Sequence, residues 1–404
     1  MKVLIVSSGY YPSSCGGVEI ISQVLAEGLV ERGYEIVVLY SNESVEVDDT
    51  YYHNGIKVIK LKPSMIHIFN QSITSKINRI LQMYNIFNIG KIRNVLKNEN
   101  PDLVHIQMPR IVSYSVYTAC NRENIPIVAT LHEYYSLWNF NPFLTIDHMM
   151  TSKPTFVTKV LRNLQKKATR ETRYVTAPFE DVIKKYKSEG YFTNTKFKEV
   201  LNALKFAGNA QSELTNKKRR LEKDKVRKFL IISRLVNYKG IERVLDAFVN
   251  YDNEMIELHI AGDGPLRSLV EKYCSKDSRI KYHGYVMNKD KENLFRSTDV
   301  MFFLPADIET FGLTILEAYY YCMPVIISNV NAVSKHVDNG ATGLILNEVS
   351  NSNIVNAMKQ YINYLEWDFQ LECCLKKLQK YSCDNFIDEF EEVYFEVLKT
   401  GQVQ

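Results

Sequence analysis

Short continuous apolar runs alternate with longer amphipathic stretches along this chain, and the alternation occurs twice. Lys2 to Val6 is the first run, a helical period follows from Val18 to Glu31 and stops at Gly33, and Ile36 to Tyr40 is the next run. Runs of this length bounded by turn residues read as strands buried on both faces, and the stretches between them as helical crossovers of a parallel sheet. The pattern continues through Ile56 to Leu61, a long helical stretch up to Lys97, Asp102 to Ile106 and Ile127 to Thr130. Weaker strands are expected at Arg173 to Thr176 and Lys198 to Leu201. From Gly208 to Lys228 the composition turns polar and charged, which reads as a connector. Phe229 to Ser233 restarts the pattern, and Ile256 to Ala261, Val300 to Leu304, Val325 to Ser328 and Gly343 to Leu346 complete it. The fold class is therefore α/β, with two βαβ sheets.

Composition narrows the function without choosing it. A chain of 404 residues exceeds one ordinary core, so two domains are expected. The net charge of +4 gives no ground for a nucleic-acid partner. The apolar run at Met1 to Val6 ends after four residues with no small-residue cleavage site behind it, and reads as a strand rather than a signal peptide. No stretch approaches ~18 uninterrupted apolar residues, so no membrane span is expected. The seven cysteines are scattered and form no C-x-x-C pair, so metal or redox spacing is absent, as suits a reducing cytoplasm.

Four turns carry candidate chemistry, and each follows a strand, where ligands bind in open α/β sheets. Cys15-Gly16-Gly17-Val18-Glu19 leads into a helix, and its glycines would let backbone N–H groups approach a phosphate; a flexible turn is the plain alternative. Ser233-Arg234-Leu235-Val236-Asn237-Tyr238-Lys239-Gly240 puts two cations five residues apart in one loop, suited to a diphosphate or simply solvated. Ala261-Gly262-Asp263-Gly264-Pro265 is a glycine-bracketed turn whose plain reading is a tight connection. The fourth, Glu309-Thr310-Phe311-Gly312-Leu313-Thr314-Ile315-Leu316-Glu317-Ala318, sets two carboxylates on either side of a strand-to-helix turn. Free N–H groups at that helix start could hold an anion while the carboxylates grip a polyol.

In this order and at these separations, the turns resemble the retaining glycosyltransferases of family four, which have the GT-B fold. The resemblance runs over nearly the whole chain and is strongest from Ile232 to Gly343. It implies two Rossmann-like domains facing across a cleft: residues 1–205 on the acceptor side, a charged connector at 206–227, a nucleotide-sugar domain at 228–380, and a final helix within 381–404 crossing back to the first domain. Arg234 and Lys239 match the family's diphosphate-neutralising pair. Glu317 matches the glutamate that holds the ribose hydroxyls, and Glu309 the one near the donor sugar. Gly312 and Leu313 would supply N–H groups to the distal phosphate, and Gly17 would approach the diphosphate from the other domain. His132, in Thr130-Leu131-His132-Glu133-Tyr134-Tyr135, matches the histidine facing the donor sugar. His105 is left as structural.

The implied reaction breaks a sugar–phosphate bond, so the site should stabilise a leaving diphosphate, which Arg234, Lys239 and the helix amides can do without a metal. The sequence contains no Asp-x-Asp, Asp307-Ile308-Glu309 being the nearest approach, and no cofactor is expected beyond the nucleotide-diphosphate sugar itself. Same-face attack, with the leaving phosphate taking the acceptor's proton, is the retention route the resemblance favours. The chain departs from the family pattern at Asn202-Ala203-Leu204, where an Asn-Gly turn is common, and at Glu133-Tyr134-Tyr135, where Asp-Tyr-Trp is common; Trp138 comes slightly later. A sugar-nucleotide epimerase and a catalytically silent partner subunit of the same fold are the alternatives.

The acceptor is expected to be a glycan or lipid-linked sugar, in bacterial surface polysaccharide or glycolipid synthesis. Lys159, Arg162, Lys166, Lys167, Arg170 and Arg173 are interleaved with Val160, Leu161 and Leu164. This basic amphipathic stretch could lie on an anionic membrane surface or be a solvated helix face. Ile77 to Ile89 is a second apolar stretch of helical period. The expected location is cytoplasmic, with peripheral contact on the inner face of the cell membrane.

Overall fold

The structure is a computed structural model that describes residues 1–12, 16–41, 46–64, 78, 80–109, 112–134, 137, 154–306, 309–362 and 367–399. Cys15, Tyr135, Trp138, Asp307, Ile308 and part of the Ile77 to Ile89 stretch lie outside the described residues. The chain divides into two compact units, one of Met1–Ala203 with Cys383–Gln404 and one of Leu204–Ser382.

The first unit is built on eight strands: β1 Lys2–Ser7, β2 Glu35–Tyr40, β3 Asp49–His53, β4 Ile56–Lys60, β5 Leu103–Ile106, β6 Ile127–Thr130, β7 Tyr174–Ala177 and β8 Lys196–Glu199. Their order across the sheet is β3-β4-β2-β1-β5-β6-β7-β8. All neighbours are parallel except β3 and β4, which pair as an antiparallel hairpin around Asn54-Gly55. Val3 to Val6 and Val38 to Leu39 are wholly buried, as strands covered by helices on both faces must be. The edges differ from expectation. β3 has no apolar run, and β8 begins two residues before its expected start with most of its residues exposed. An edge strand needs only one packed face and one partner, so its sequence is free to be polar.

The helix Cys383–Lys399 completes this unit. Phe386, Ile387, Phe390, Val393, Tyr394 and Val397 recur at helical spacing and are buried. Ile387 lies against Gly28 of the helix Gly17–Glu31, where an added Cβ would come within 2.7 Å of its side chain. Arg32 pairs with Asp388 and Glu391 at the rim. Each buried apolar side chain contributes ~1.5–3 kcal/mol and each exposed ion pair about 0–1 kcal/mol, so the apolar stripe fixes this helix.

The second unit carries six parallel strands: β9 Arg227–Ile232, β10 Ile256–Ala261, β11 Ile280–Tyr282, β12 Val300–Phe303, β13 Val325–Ser328 and β14 Gly343–Leu346. Their order is β11-β10-β9-β12-β13-β14. The three-residue edge strand β11 is too short to announce itself as an apolar run. The charged stretch before β9 forms a helix, Ala210–Lys223, capped by the Asn209 side chain accepting from the Gln211 N–H. Its Lys217 is buried and donates to the carbonyls of Phe295 and Thr298, while Arg220 pairs with the buried Asp299. Part of that charge is thus consumed inside the unit rather than solvated.

Candidate functional site

In the second unit the loops after β9, β10 and β12 are lashed together at the carboxyl ends of neighbouring strands. The Leu235 N–H donates to Asp263 O at 2.9 Å, the Leu266 N–H to Leu235 O at 3.0 Å, and the Ala306 N–H to Tyr238 O at 2.6 Å. Each bond satisfies a loop amide that would otherwise compete with the ladder for partners. Gly262 turns at φ 133°, and a Cβ there would meet Ser233 O at 1.8 Å, so this tight approach of two loops requires glycine.

Arg234, Lys239, Glu309, Gly312, Leu313 and Glu317 all belong to this loop cluster or to the helix that leaves it. The Arg234 guanidinium is exposed and donates to Tyr238 Oη at 2.8 Å. Lys239, on the single turn Asn237–Lys239, reaches across to the Glu309 carboxylate, each side chain being 17% exposed. Its ammonium also lies 5.4 Å from the Phe303 ring centroid, a cation–π arrangement. Gly312 is left-handed at φ 78°, with room for no Cβ against the Phe303 ring, and hands the chain into the helix Leu313–Tyr320. Glu317 stands on that helix and accepts from Lys291 Nζ at 2.6 Å. Both carboxylates are therefore matched by lysines, and one of those lysines, Lys291, was not singled out from the sequence. It sits in a polar Asn288-Lys289-Asp290-Lys291-Glu292 run indistinguishable in composition from ordinary surface.

In the first unit His132 follows β6 and is 9% exposed. Its Nε2 hydrogen-bonds to Gln107 Oε1, Gln107 Nε2 lies 3.1 Å from His105 Nε2, and His105 Nδ1 lies 2.6 Å from Tyr394 Oη on the last helix. Thr130 Oγ1 joins His105 Nε2 at 2.7 Å and Thr176 Oγ1 at 2.7 Å. Because the Gln107 carbonyl oxygen can only accept, His132 carries its proton on Nε2 in this arrangement. Burial pushes both His105 and His132 down to about 3, so both rings are neutral near pH 7. His105, read as structural, is the hub of this network. Gln107 and Tyr394 were missed, although a signal existed: His105 and Gln107, Thr130 and His132, and Thr176 are polar residues with a period of two in strands otherwise apolar.

His132 and Gln107 also line a small open cleft of about 30 Å³, shared with Met108, Tyr114, Glu133 and Tyr186. Gly17 is the first residue of the helix Gly17–Glu31. The Glu19 carboxylate folds back over Gly16 and is held by Ser8 Oγ. A phosphate approaching those amides would meet this carboxylate first.

Residues 15–196 match the family model described as Glycosyltransferase Family 4, and residues 212–366 the one described as Glycosyl transferases group 1. The chain is 31% identical over 141 residues to an uncharacterized 42.6 kDa protein in the cps region of Klebsiella pneumoniae, covering 33% of this chain and 37% of that protein. It is 24% identical to an uncharacterized glycosyltransferase of Methanocaldococcus jannaschii over 98% of both chains. Among solved structures, Anabaena HepE in complex with UDP and glucose superposes with a TM-score of 0.69 at 15% identity, over 97% of this chain and 99% of that one. The last likeness establishes the GT-B fold.

Proposed function

The chain belongs to the group 1 glycosyltransferases of family four, and from that premise we propose that it transfers a sugar, with retained configuration, from a nucleotide-diphosphate sugar to a glycan or lipid-linked acceptor. The observation that carries this reading is the ion pair of Lys239 with Glu309 across the loops after β9 and β12, three residues before the Gly312 turn from which the helix bearing Glu317 starts.

The leaving diphosphate would be neutralised by Arg234 and Lys239 and by the open amides at Gly312 and Leu313, groups already fixed before charge develops. Glu317 would accept from the ribose hydroxyls. Glu309 would stand beside the donor sugar and stabilise its oxocarbenium character. As the anomeric C–O bond to phosphate breaks, the acceptor hydroxyl would attack the same face and pass its proton to the departing phosphate oxygen. His132, neutral and with its Nε2 proton donated to Gln107, would present an uncharged polar ring to the sugar rather than a charge. None of these steps calls for a metal.

Surface polysaccharide or glycolipid synthesis is the setting supported by relatives described as O-antigen chain mannosyltransferase C of Escherichia coli, 21% identical over 99% of this chain, and alpha-monoglucosyldiacylglycerol synthase of Acholeplasma laidlawii, 23% identical over 86%. For the acceptor side, the helix Phe156–Ala168 exposes Phe156, Val157, Val160 and Leu164 beside Lys159 and Lys167, a combination suited to an anionic membrane surface at the inner face of the cell. Arg162 and Arg173 are turned to other work, donating to the carbonyls of Leu137 and Val397. Among the described residues no helix is long and apolar enough to cross a membrane.

The test is transfer itself. Purified protein is incubated with UDP-, ADP- and GDP-sugars and oligosaccharide or glycolipid acceptors, and the product's anomeric configuration is read by proton NMR. A product with the donor's configuration is expected, unchanged by chelator. An inverted product would refute the retaining reading, and conversion of donor without acceptor would favour the epimerase.

A further inference from the structure

The pair formed by Lys291 and Glu317 joins two helices, Asn288–Ser297 and Leu313–Tyr320, that flank the same loop cluster. Lys291 Nζ lies 2.6 Å from Glu317 Oε1, with the side chains 29% and 20% exposed. The bond takes one carboxylate oxygen, and among the described residues Glu317 Oε2 has no hydrogen-bond partner. A lysine ammonium has three donors, of which this contact uses one. Donor and acceptor capacity therefore sit side by side, partly open to solvent.

That juxtaposition has a chemical meaning. A vicinal diol presents two hydroxyls, each able to donate to a carboxylate while accepting from a neighbouring ammonium. A carboxylate alone can take the two protons but can fix neither hydroxyl oxygen, and its own rotation about the last side-chain bond is broad. Held by Lys291, Glu317 keeps one orientation, and the ammonium offers a second anchor to the diol.

We propose that Lys291 is a positioning residue for ribose recognition, acting with Glu317 as a donor–acceptor clamp that selects a ribonucleotide over a deoxyribonucleotide. This rests on the reading of Glu317 as the ribose-holding residue. Lys291 lies outside the motifs that suggested the site and carries no role there.

Calorimetry with UDP, ADP and GDP and their 2′,3′-dideoxy counterparts tests it, using the intact protein, Lys291→Met, Lys291→Gln and Glu317→Gln, with thermal unfolding to confirm that each variant is folded. For the nucleotide the parent binds best, both Lys291 variants should weaken the ribonucleotide ~10-fold, the scale of one charge-assisted hydrogen bond discounted for solvent exposure. Dideoxynucleotide affinity should change less than twofold, because the group that Lys291 serves is gone. Lys291→Arg should restore part of the loss. Equal weakening of both nucleotides would mean that Lys291 attracts phosphate or merely props the helix, and would overturn the proposal. So would normal ribonucleotide affinity in the Lys291 variants, with the role of Glu317 left standing. If Glu317→Gln keeps the parent's preference for ribo- over dideoxynucleotides, or the parent binds none of them, the ribose reading falls and the clamp with it.

Discussion

Glu309 and Lys239, 70 residues apart in sequence, form an ion pair across the loops that follow the adjacent parallel strands β12 and β9. The cation assigned to the leaving diphosphate is thus held by the carboxylate assigned to the donor sugar. A diphosphate entering this site competes with Glu309 for Lys239. Glu309→Gln should accordingly bind nucleoside diphosphate at least as tightly as the parent while losing most of its turnover. Isothermal titration and initial rates measure the two separately. A variant that bound the nucleotide more weakly would show that Glu309 supports the nucleotide instead of competing for its cation.

The buried histidines make the protein sensitive to acid. His105, His132 and His336 are each pushed down to about 3 by burial, below the ordinary value near 6.5. Between those limits the unfolded chain binds more protons than the folded one, so stability falls as pH falls from 6.5 toward 3. The loss is ~2 kcal/mol per histidine at pH 5 relative to neutral pH. Urea midpoints at pH 7.5 and 5 should show it, and His336→Gln should remove the share belonging to His336. An unchanged pH dependence in that variant would count against His336 being held neutral.

Lys217 works in the opposite range. Burial lowers it to about 8, and its ammonium is kept in place by the carbonyls of Phe295 and Thr298. From pH 8 to 10.5 the unfolded chain again holds the extra proton, so this position becomes less costly to fold as pH rises. The stability of the parent minus that of Lys217→Met should increase between pH 7.5 and 10. A flat difference would mean that the lysine's pKa is not depressed.

Membrane contact, if it occurs as proposed, should depend on the outward cations of the helix Phe156–Ala168 and the turn after it. Lys159, Lys167 and Arg170 are exposed. Each should contribute roughly 1 kcal/mol near an anionic surface, fading with salt. The triple change to glutamate should release the protein from phosphatidylglycerol vesicles in co-sedimentation and leave nucleotide binding intact. Equal sedimentation of both forms would make this an ordinary solvated face.

The second unit's candidate site is legible because its groups lie in two contiguous segments, Ser233 to Gly240 and Glu309 to Glu317, where glycine and charge occur at the end of apolar runs. Lys291 was not legible, since a lysine in a polar helical run looks the same whether it faces water or a glutamate. The buried strands β1, β2, β5, β6, β9, β12 and β13 announce themselves because two covered faces demand largely apolar sequence. The edge strands β3 and β11 do not, and β8 is read two residues late, because one partner and one covered face demand little. In the first unit, the single histidine that the motif marks is held by Gln107, His105 and Tyr394. That arrangement depends on strand register and on a helix far away in sequence, neither of which composition reveals.

The bond between His105 and Tyr394 spans 289 positions of chain, and this has a consequence for synthesis. The second unit is one uninterrupted segment, whereas the first is closed by residues made after the second. At ~5–20 residues per second, the first sheet waits on the order of ten seconds or more on the ribosome for its last helix. During that interval the surface that Phe386, Phe390 and Tyr394 will cover is open to chaperones or to the wrong partner. A stop codon late in the reading frame would therefore injure the part of the protein that was translated earliest.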